Sequence, residues 1–348
     1  MVQTKPCMET GTALPSVAFH SRVWTHDVIQ QAEALPLWQQ DYTQLRAGRF
    51  EGSIDSVSTP SLQVFREAMN RPVDEQAYAP RDTYVIGVPV LVQGESYWNN
   101  VRMPHDALMT MDVGSTLSFR TAEVSEIMAA VVRASHLEAY AEQVEEIDWR
   151  RLLRSRAAVE PLAAAETAKL RLLLADALTR LPGDDPVMRP GPSGYAELEL
   201  DLLAQCVGAL RRTSEHAARR DCKVHRYIVN RVRDAVLGCA GDPPSVGELC
   251  LQLKISRRTL NHAFLHALGT TPMVYTRNMR LNRVRHDLLR ASPKSVGVAH
   301  VALRWGFWHM SLFSRYYREL FNELPSDTLR NRSDDKGSSP NTGFCSSS

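Results

Sequence analysis

The chain has 348 residues, of which 44% are hydrophobic and 23% charged, and its formal net charge is +2. This composition is typical of soluble globular domains, and the length predicts about two of them. It contains no apolar run long enough for a membrane span, no secretory leader pattern, and no CxxC pair among its 6 cysteines. We therefore expect a cytoplasmic protein with free thiols and no bound metal.

The small net charge conceals an uneven distribution. Residues 222–332 carry 18 Lys+Arg against 7 Asp+Glu, and the rest of the chain holds the remaining 23 basic and 32 acidic residues of the totals 41 and 39. A net of +11 beside a net of −9 is typical of a polyanion-binding module attached to an acidic body. A membrane surface would suit the same charge, but no basic amphipathic helix with a continuous Leu/Trp face occurs there.

The first half of the chain changes from turn-rich to β-type patterning. Residues 1–22 are predicted to be disordered, and the Ser/Gly/Asp-rich tail 333–348 likewise. From residue 50 to about 133, β-branched or alternating apolar residues bounded by Gly, Pro, Asp or Asn predict the strands of a small antiparallel barrel. Between these segments we expect one helical turn before Pro36 and then a helix with one apolar side, formed by Leu37, Trp38, Tyr42 and Leu45.

Aromatic and polar side chains in the β segment suggest a pocket for a small molecule. The candidates are Tyr84, Tyr97, Trp98, His105 and Phe119. For each of them, packing in the core is the more frequent role. No GxSxG, HExxH or phosphate loop occurs, and the HxH cluster of a catalytic cupin-type barrel is missing, so neither an enzyme nor a cofactor is expected.

Helical periodicity returns near residue 135 and continues to 237, with a loop at 181–194. One helix there has an apolar stripe wider than a surface helix needs, consisting of Leu198, Leu202, Cys206 and Leu210. The stripe is either a homodimer interface or a face packed on the chain's own β domain.

The basic segment opens with a helix-turn-helix pattern over residues 245–269. Ser245 and Glu248 predict a capping box for the first helix. Ser256 is expected to cap a second helix that ends at Gly269. The second helix of such a pair is the one that enters the DNA major groove.

The outward side of this second helix carries the side chains that suit base reading. With Leu260 and Phe264 facing the core, the outward residues are Arg257, Arg258, Asn261 and His262. Arginine suits bidentate hydrogen bonds to guanine, and asparagine suits adenine. Contact with phosphates alone is the alternative for the two arginines, since half or more of protein–DNA hydrogen bonds go to the backbone.

A second helix-turn-helix pattern follows, with its turn at Trp305-Gly306-Phe307. Its first helix is predicted over Val298–Leu303. The second helix is expected to bury Leu312, Phe313, Tyr316, Tyr317 and Phe321. It is expected to direct outward His309, Met310, Ser311, Ser314 and Arg315. For Arg315, pairing with Glu319 four residues on is the alternative to contacting DNA.

A linker helix predicted over Pro272–Leu289 joins the two patterns. At 1.5 Å per residue it would be roughly 27 Å long, which suits two reading helices about one DNA turn apart. Its Arg280 is expected to contact phosphate.

One fixed spacing runs through both patterns, at Leu249, Ser256, Leu260, Phe264, Gly269, Arg280, Leu281, Gly306, Phe307, Phe313, Arg315 and Pro325. This spacing resembles that of the AraC/XylS class of bacterial transcription regulators over the last hundred residues or so. The chain departs from the family at Lys254 and Asn322, where glycine is usual, and at Cys250, where alanine is usual. The resemblance implies that Arg258, Asn261 and His262 occupy base-reading positions, that the β domain senses an effector, and that the helices after it dimerise.

A narrower resemblance extends outside the basic segment. The stretches WQQDYTQLRAGRFEG and QVFRE, together with LQLKISRRTLNHAF and WGFWH, look similar to regulators of ethanolamine-utilisation operons. It implies ethanolamine or a cobamide as the effector.

We therefore predict an α+β protein with two domains. Residues 23–220 form a β-rich, barrel-like sensing and dimerisation domain with helices, and residues 222–332 form an all-α double helix-turn-helix domain. The predicted function is a transcriptional regulator, an activator, that senses a small molecule, binds double-stranded promoter DNA as a homodimer and contacts RNA polymerase. The alternatives are a ligand-independent DNA-binding protein and an enzyme with an appended DNA-binding domain.

Overall fold

The computed structural model describes residues 11–180, 192–213, 222–239, 241, 243–291 and 296–335. The chain forms two compact units, one of residues 1–226 with 266–268 and one of residues 227–265 with 269–348. Across the described ranges, none of the helices combines the length and the apolar character that crossing a membrane requires.

The N-terminal unit consists of two antiparallel sheets and the helices that follow them. In chain order its elements are β1 (Phe19–Thr25), α1 (Val28–Ala34), β2 (Gln39–Gln44), β3 (Gly52–Ser58), β4 (Leu62–Met69), β5 (Val73–Tyr78), β6 (Thr83–Gln93), β7 (Tyr97–Trp98), β8 (Val101–Arg102), β9 (Ala107–Met111), β10 (Thr116–Arg120), β11 (Val124–Arg133), α2 (Ala134–Gln143), α3 (Trp149–Arg154), β12 (Val159–Pro161), α4 (Ala164–Arg180) and α5 (Pro192–Arg212).

Seven strands form one sheet, in the order β1-β3-β4-β11-β6-β9-β12, and five form the other, in the order β2-β5-β10-β7-β8. Each sheet ends in edge strands, so the sheets do not close into the predicted barrel. The α+β class and the β-rich character of residues 50–133 are confirmed.

The larger sheet is buried on both faces, which explains the long apolar runs of its central strands. Strand β4 pairs with β11 with Phe65 opposite Ala129. Val64 of β4 belongs to a cluster with helical residues such as Leu174 of α4. Phe65, which points to the other face, belongs to a cluster with Trp98 and other residues of the second sheet. Separate apolar clusters on the two faces therefore stabilise this unit, and a further cluster forms around Val28, Tyr42 and Phe50.

The helix predicted after Pro36 is wrong, because residues 39–44 form β2, which pairs with β5. The apolar residues that suggested one side of a helix are separated by inward-facing glutamines. Gln40 donates to the Tyr42 hydroxyl at 2.8 Å, and Gln44 donates to the Gly48 carbonyl at 2.8 Å. Hydrogen bonds of this kind allow a strand to bury polar side chains that a hydrophobic pattern places at the surface.

Regular structure also reaches into both segments predicted to be disordered. Strand β1 includes residues 19–22, where Arg22 lies opposite Asp55 of β3 in the antiparallel ladder. The hydrogen bonds of the β1–β3 ladder stabilise an extended strand here, although the composition of the preceding residues is rich in turn formers. At the other end, the last helix extends to Asp335. Residues 1–10, 181–191 and 336–348 lie outside the described part of the chain.

The apolar stripe of α5 packs on its own unit. Leu198, Leu202, Cys206 and Leu210 are all buried in the cluster shared with α4 and the larger sheet. Burial also raises the pKa of the Cys206 thiol to about 12. Of the two readings of this stripe, the structure therefore favours packing within the chain, and the stripe does not supply a dimer surface.

The C-terminal unit is helical. Its elements are α6 (Cys222–Gly238), α7 (Val246–Leu253), α8 (Arg257–Leu268), α9 (Pro272–Arg290), α10 (Val298–Arg304), α11 (Met310–Phe321) and α12 (Pro325–Asp335). The predicted linker helix is α9, and the two predicted helix-turn-helix pairs are α7 with α8 and α10 with α11. The boundary between the compact units falls after Arg226, within α6.

Candidate nucleic-acid interface

The first helix-turn-helix pair is built by the local signals that the sequence contains. Ser245 accepts a hydrogen bond from the Glu248 N–H, and Glu248 accepts one from the Ser245 N–H, so the capping box is confirmed. Lys254 ends α7 in the left-handed region, at φ 54°. That conformation costs a non-glycine residue about 1–2 kcal/mol. Ser256 caps α8 through its side chain, and Gly269 ends it at φ 63°.

Helix α8 buries one side and exposes the opposite one. Leu260, Ala263 and Phe264 are buried. The exposed residues include Arg257, Arg258, Asn261, His262 and Leu265. All four predicted base readers of this helix are thus at the surface, and the structure brings them together on one exposed side.

Leu265 is a surface residue of α8 that the sequence reasoning missed. It is 54% exposed and lies seven residues after Arg258, on the same stripe of the helix. An apolar side chain in this position suits contact with a thymine methyl group. Its spacing of seven residues from Arg258 is the sequence signal that would have predicted this exposed position.

The second pair places its predicted residues less uniformly. His309, Ser311 and Arg315 are exposed. Met310 and Ser314 are half-buried, and Met310 packs against the core of this pair. Of the five residues predicted to contact DNA at or just before α11, three are therefore exposed and two are half-buried.

The predicted burial of Leu312 is wrong, because its side chain is 37% exposed. The buried stripe of α11 is formed by Phe313, Tyr317, Leu320 and Phe321, and Leu312 lies at its margin. The sequence analysis also missed Trp308, which precedes the helix and is 66% exposed. A large exposed aromatic side chain beside a candidate reading helix is a potential contact to DNA.

Arg315 lies 3.7 Å from Glu319, the pairing expected as its alternative role. Both side chains are more than half exposed, and an exposed pair at this spacing contributes only about 0.3–0.5 kcal/mol. The pair therefore does not prevent Arg315 from turning to a phosphate or a base.

Helix α9 contacts both pairs. Tyr275 stacks edge-on against Phe264 of α8, with ring centroids 5.3 Å apart. Leu281, Val284 and Leu288 belong to the buried cluster of the second pair. This packing on both sides makes α9 the element that sets how the two pairs are oriented within their unit.

Arginines of α9 reinforce its contact with the second pair. The Arg277 guanidinium lies 4.1 Å from the Tyr316 ring centroid. The Arg285 guanidinium donates to Glu323 at 2.6 Å and lies 4.7 Å from the ring centroid of Phe321. Planar guanidinium groups suit such combined stacking and ion pairing.

Arg280, which was predicted to contact phosphate, is half-buried and forms contacts within its own unit. Its guanidinium lies 4.9 Å from the Phe307 ring centroid, and its Nε donates to the Thr276 carbonyl at 3.3 Å. Burial, with the nearby Arg277 charge, lowers its pKa. The structure thus separates Arg280 from the exposed residues of α8 and α11.

The five residues predicted to bind an effector do not line one common pocket, although Trp98 and Phe119 contact each other. Tyr84 faces the helices and donates a hydrogen bond to Glu138 at 2.6 Å. Trp98 and Phe119 pack edge-on in the core between the sheets. Tyr97 is half-buried, and the exposed His105 lies 3.2 Å from Asp106.

The interior of the N-terminal unit also holds a group of buried polar residues that hydrogen-bond to one another. Glu67 and Glu75 are each 2% exposed. Glu67 accepts hydrogen bonds from Gln31 at 2.8 Å and from the Tyr42 hydroxyl at 2.9 Å. Burial raises the pKa of Glu67 to about 7, although these two hydrogen bonds oppose the shift. Burial and then the charge of Glu67 raise the pKa of Glu75 as well.

This group predicts that the N-terminal unit loses stability as the pH rises. The pKa of Glu67 in the folded chain lies above its ordinary value of 4.5, so its contribution is complete below 4.5 and is lost as the pH passes 7. The loss should be on the order of 3 kcal/mol. Glu67→Gln keeps an acceptor for Gln31 and Tyr42 without a titrating proton, so thermal unfolding of this variant should change much less between pH 5 and 8.

The matched control for this change is Glu51→Gln, at an exposed position of the same unit. It should keep the wild-type pH dependence. An unaltered loss of melting temperature with pH in Glu67→Gln would contradict the assignment of that loss to Glu67.

The described geometry agrees with the similarity of this chain to known proteins. Residues 249–331 match the family model described as a helix-turn-helix domain. The chain is 39% identical over 122 residues to the "Probable thc operon regulatory protein" of Rhodococcus erythropolis, covering 33% of this chain and 37% of that protein. It is 42% identical over 76 residues to the "XylDLEGF operon transcriptional activator" of Pseudomonas putida, covering 22% of this chain and 24% of that protein.

A solved structure is similar to part of the chain. The transcriptional regulator from Chromobacterium violaceum, with an AraC-type DNA-binding domain, is 28% identical, with a TM-score of 0.29, and the match covers 31% of this chain and 94% of that one. The chain thus spans 24–37% of the length of the two curated relatives.

Proposed function

We propose that this chain, whose residues 249–331 match the family model described as a helix-turn-helix domain, is a DNA-binding regulator of transcription of the AraC/XylS family. The observation that carries the proposal is the exposure of Arg257, Arg258, Asn261 and His262 on one side of α8. Side chains of these types, on the second helix of a helix-turn-helix pair, suit the hydrogen-bonding edges of bases in the major groove.

The second pair supplies the other half of the proposed site. Ser311 and Arg315 are exposed on α11, and His309 and Trp308 precede it. Arg315 is suited to clamp a phosphate or a base, and Ser311 to donate or accept one hydrogen bond. Because this side carries fewer base-specific groups than α8, we propose that α11 discriminates less between sequences.

The proposed regulation follows from a small molecule that binds the N-terminal unit. Such an effector must bind the DNA-competent arrangement better than the other, because equal affinity for both shifts no population. The relative from Pseudomonas putida is an activator by name, and we propose activation, with contact to RNA polymerase, for this chain. A homodimer stays part of the proposal, although the α5 stripe is not its surface.

The ethanolamine or cobamide effector stays a prediction from the sequence. The relatives reported above are named for other operons. Adding ethanolamine and a cobamide separately to the full chain, and measuring its DNA affinity, tests this part on its own.

The test of DNA binding is its dependence on salt. The net charge of +11 over residues 222–332 predicts that binding releases counterions from the phosphates. If six phosphates are neutralised, the affinity of the full chain for duplex DNA should fall by about 10³-fold between 50 and 200 mM salt. Fluorescence anisotropy with a labelled duplex measures this fall, and an affinity that is the same at both salt concentrations would refute the proposed function.

A further inference from the structure

A cleft on the N-terminal unit lies between the turn that joins β3 to β4 and the helix α5. Its volume is about 370 Å³. This is within the range of small-molecule sites in proteins, at its lower end. It is distinct from the core between the sheets, since its walls are the Thr59–Leu62 turn on one side and Leu198–Leu202 on the other.

The cleft has an apolar floor. Leu62, Leu198 and Leu202 line it, and each is buried in the cluster that supports α5. These side chains are held by packing on several elements, so the floor is formed before any ligand arrives. An apolar body placed on it would remove further apolar surface from water, which is favourable by about 25 cal/mol per Å².

The turn that forms the opposite wall uses its own polar groups. The Thr59 hydroxyl donates to the Leu62 carbonyl at 3.1 Å and accepts from the Leu62 N–H at 3.2 Å. The Ser61 hydroxyl lies 3.3 Å from the Thr59 hydroxyl oxygen. Because these hydroxyls already form hydrogen bonds within the turn, they do not require a hydrogen-bonding partner from the ligand.

Glu199 supplies the charge of the cleft. It alone is ionisable among the residues that line the cleft. Its carboxylate lies 2.9 Å from His136 Nε2, and its side chain is 21% exposed. A carboxylate at the border of an apolar surface attracts a cation more strongly than one in bulk water, because the local dielectric is lower. It repels an anion for the same reason.

We propose that this cleft binds a small organic cation, with an apolar body on the three leucines and an ammonium group beside Glu199. A neutral ligand would gain nothing from the charge of Glu199, which would keep only His136 beside it, and a cation without an apolar body would leave the three leucines uncovered. The role of this ligand as the effector rests on the proposed function, whereas its binding does not.

The experiment uses three probes on the full chain, with binding measured by isothermal titration calorimetry. They are 2-phenylethylamine, which has the charge and the apolar body, 3-phenylpropan-1-ol, which lacks the charge, and ethanolamine, which lacks the apolar body. The amine should bind with a Kd of about 1 mM or better, as expected for a ligand of this size. The other two should bind at least about fivefold more weakly.

Two variants and a control locate the binding. Glu199→Gln should weaken the amine about fivefold and leave the alcohol unchanged. Ala18→Trp, at the exposed rim of the cleft, should block all binding by filling the space. Glu197→Gln removes an exposed carboxylate from the same helix, outside the cleft, and should change nothing.

Absence of amine binding, or unchanged amine binding in Glu199→Gln or Ala18→Trp, would overturn the assignment of this cleft. DNA binding of the same preparation is measured in parallel. Failure of the cleft alone then leaves the DNA-binding proposal intact, and failure of DNA binding leaves the cleft intact.

Discussion

A single alanine inserted between Arg280 and Leu281 is expected to abolish sequence-specific DNA binding by the full chain while non-specific binding largely survives. One extra residue turns everything after it by about 100° and moves it by about 1.5 Å along the helix. The insertion point separates Tyr275, which stacks on Phe264 of the first pair, from Leu281, Val284 and Leu288 in the core of the second.

Each pair therefore keeps its own core contacts, but the orientation of one relative to the other changes. Arg277 and Arg280 turn away from Tyr316 and Phe307, whose ring centroids they approach to 4.1 and 4.9 Å. Arg258 and Arg315 then no longer face one side of a duplex together. Specific affinity should fall by about 10²–10³-fold, toward that of a single pair, and non-specific affinity should change little because it depends on charge.

The measurement is a titration of the variant against a selected site and a scrambled duplex, with circular dichroism to establish that the helices are intact. The control is an alanine inserted after Gly114, in an exposed turn of the N-terminal unit. A folded insertion variant that keeps wild-type discrimination would mean that the two pairs do not act as a rigid unit.

The second large effect is expected from Arg258→Ala. Arg258 is exposed on α8, opposite the buried Leu260 and Phe264, where a guanidinium suits the paired acceptors of guanine. Its loss should cost about 1–3 kcal/mol on a selected site and flatten the preference at one base pair. On scrambled DNA the loss should be much smaller.

The matched control is Arg330→Ala, which removes the same charge from the same unit at an exposed position of α12. It should weaken selected and scrambled duplexes slightly and alike. Equal losses on both duplexes for Arg258→Ala would place this residue with the phosphate contacts.

The C-terminal unit was predicted nearly element by element because its signals are local. Ser245 with Glu248, Ser256 and Gly269 fix the ends of α7 and α8 through contacts within a few residues. Asn322 ends α11 at φ 59°, in the left-handed region, as expected where the family has glycine. The sequence did not indicate the exposure of Leu265, Trp308 and Leu312, because periodicity alone does not decide which apolar residues stay at the surface.

The N-terminal unit was predicted only in class because its contacts are long-range. In strand β2, the half-buried Gln40 has a partner far along the chain, because Glu75 of β5 accepts from it at 3.2 Å. The predicted effector residues were chosen because they are aromatic or polar, but they do not lie on one face of a sheet. Tyr84 packs against the helices, and Trp98 packs in the core between the sheets. The cleft beside α5 is lined by Leu62 and Leu202. These residues are far apart in the sequence, so no local sequence pattern predicts that they lie close together.

The most direct measurement is selection of binding sites from random duplex DNA by the full chain. Helix α9 has 19 residues and is therefore about 28 Å long. We expect the selected sequences to contain two short conserved blocks with centres about 10–10.5 base pairs apart, and we expect Arg258→Ala to lose the preference at one base pair of one block. Selected sequences with a single block, or with no enriched sequence, would contradict recognition of DNA by a rigid pair of helix-turn-helix units.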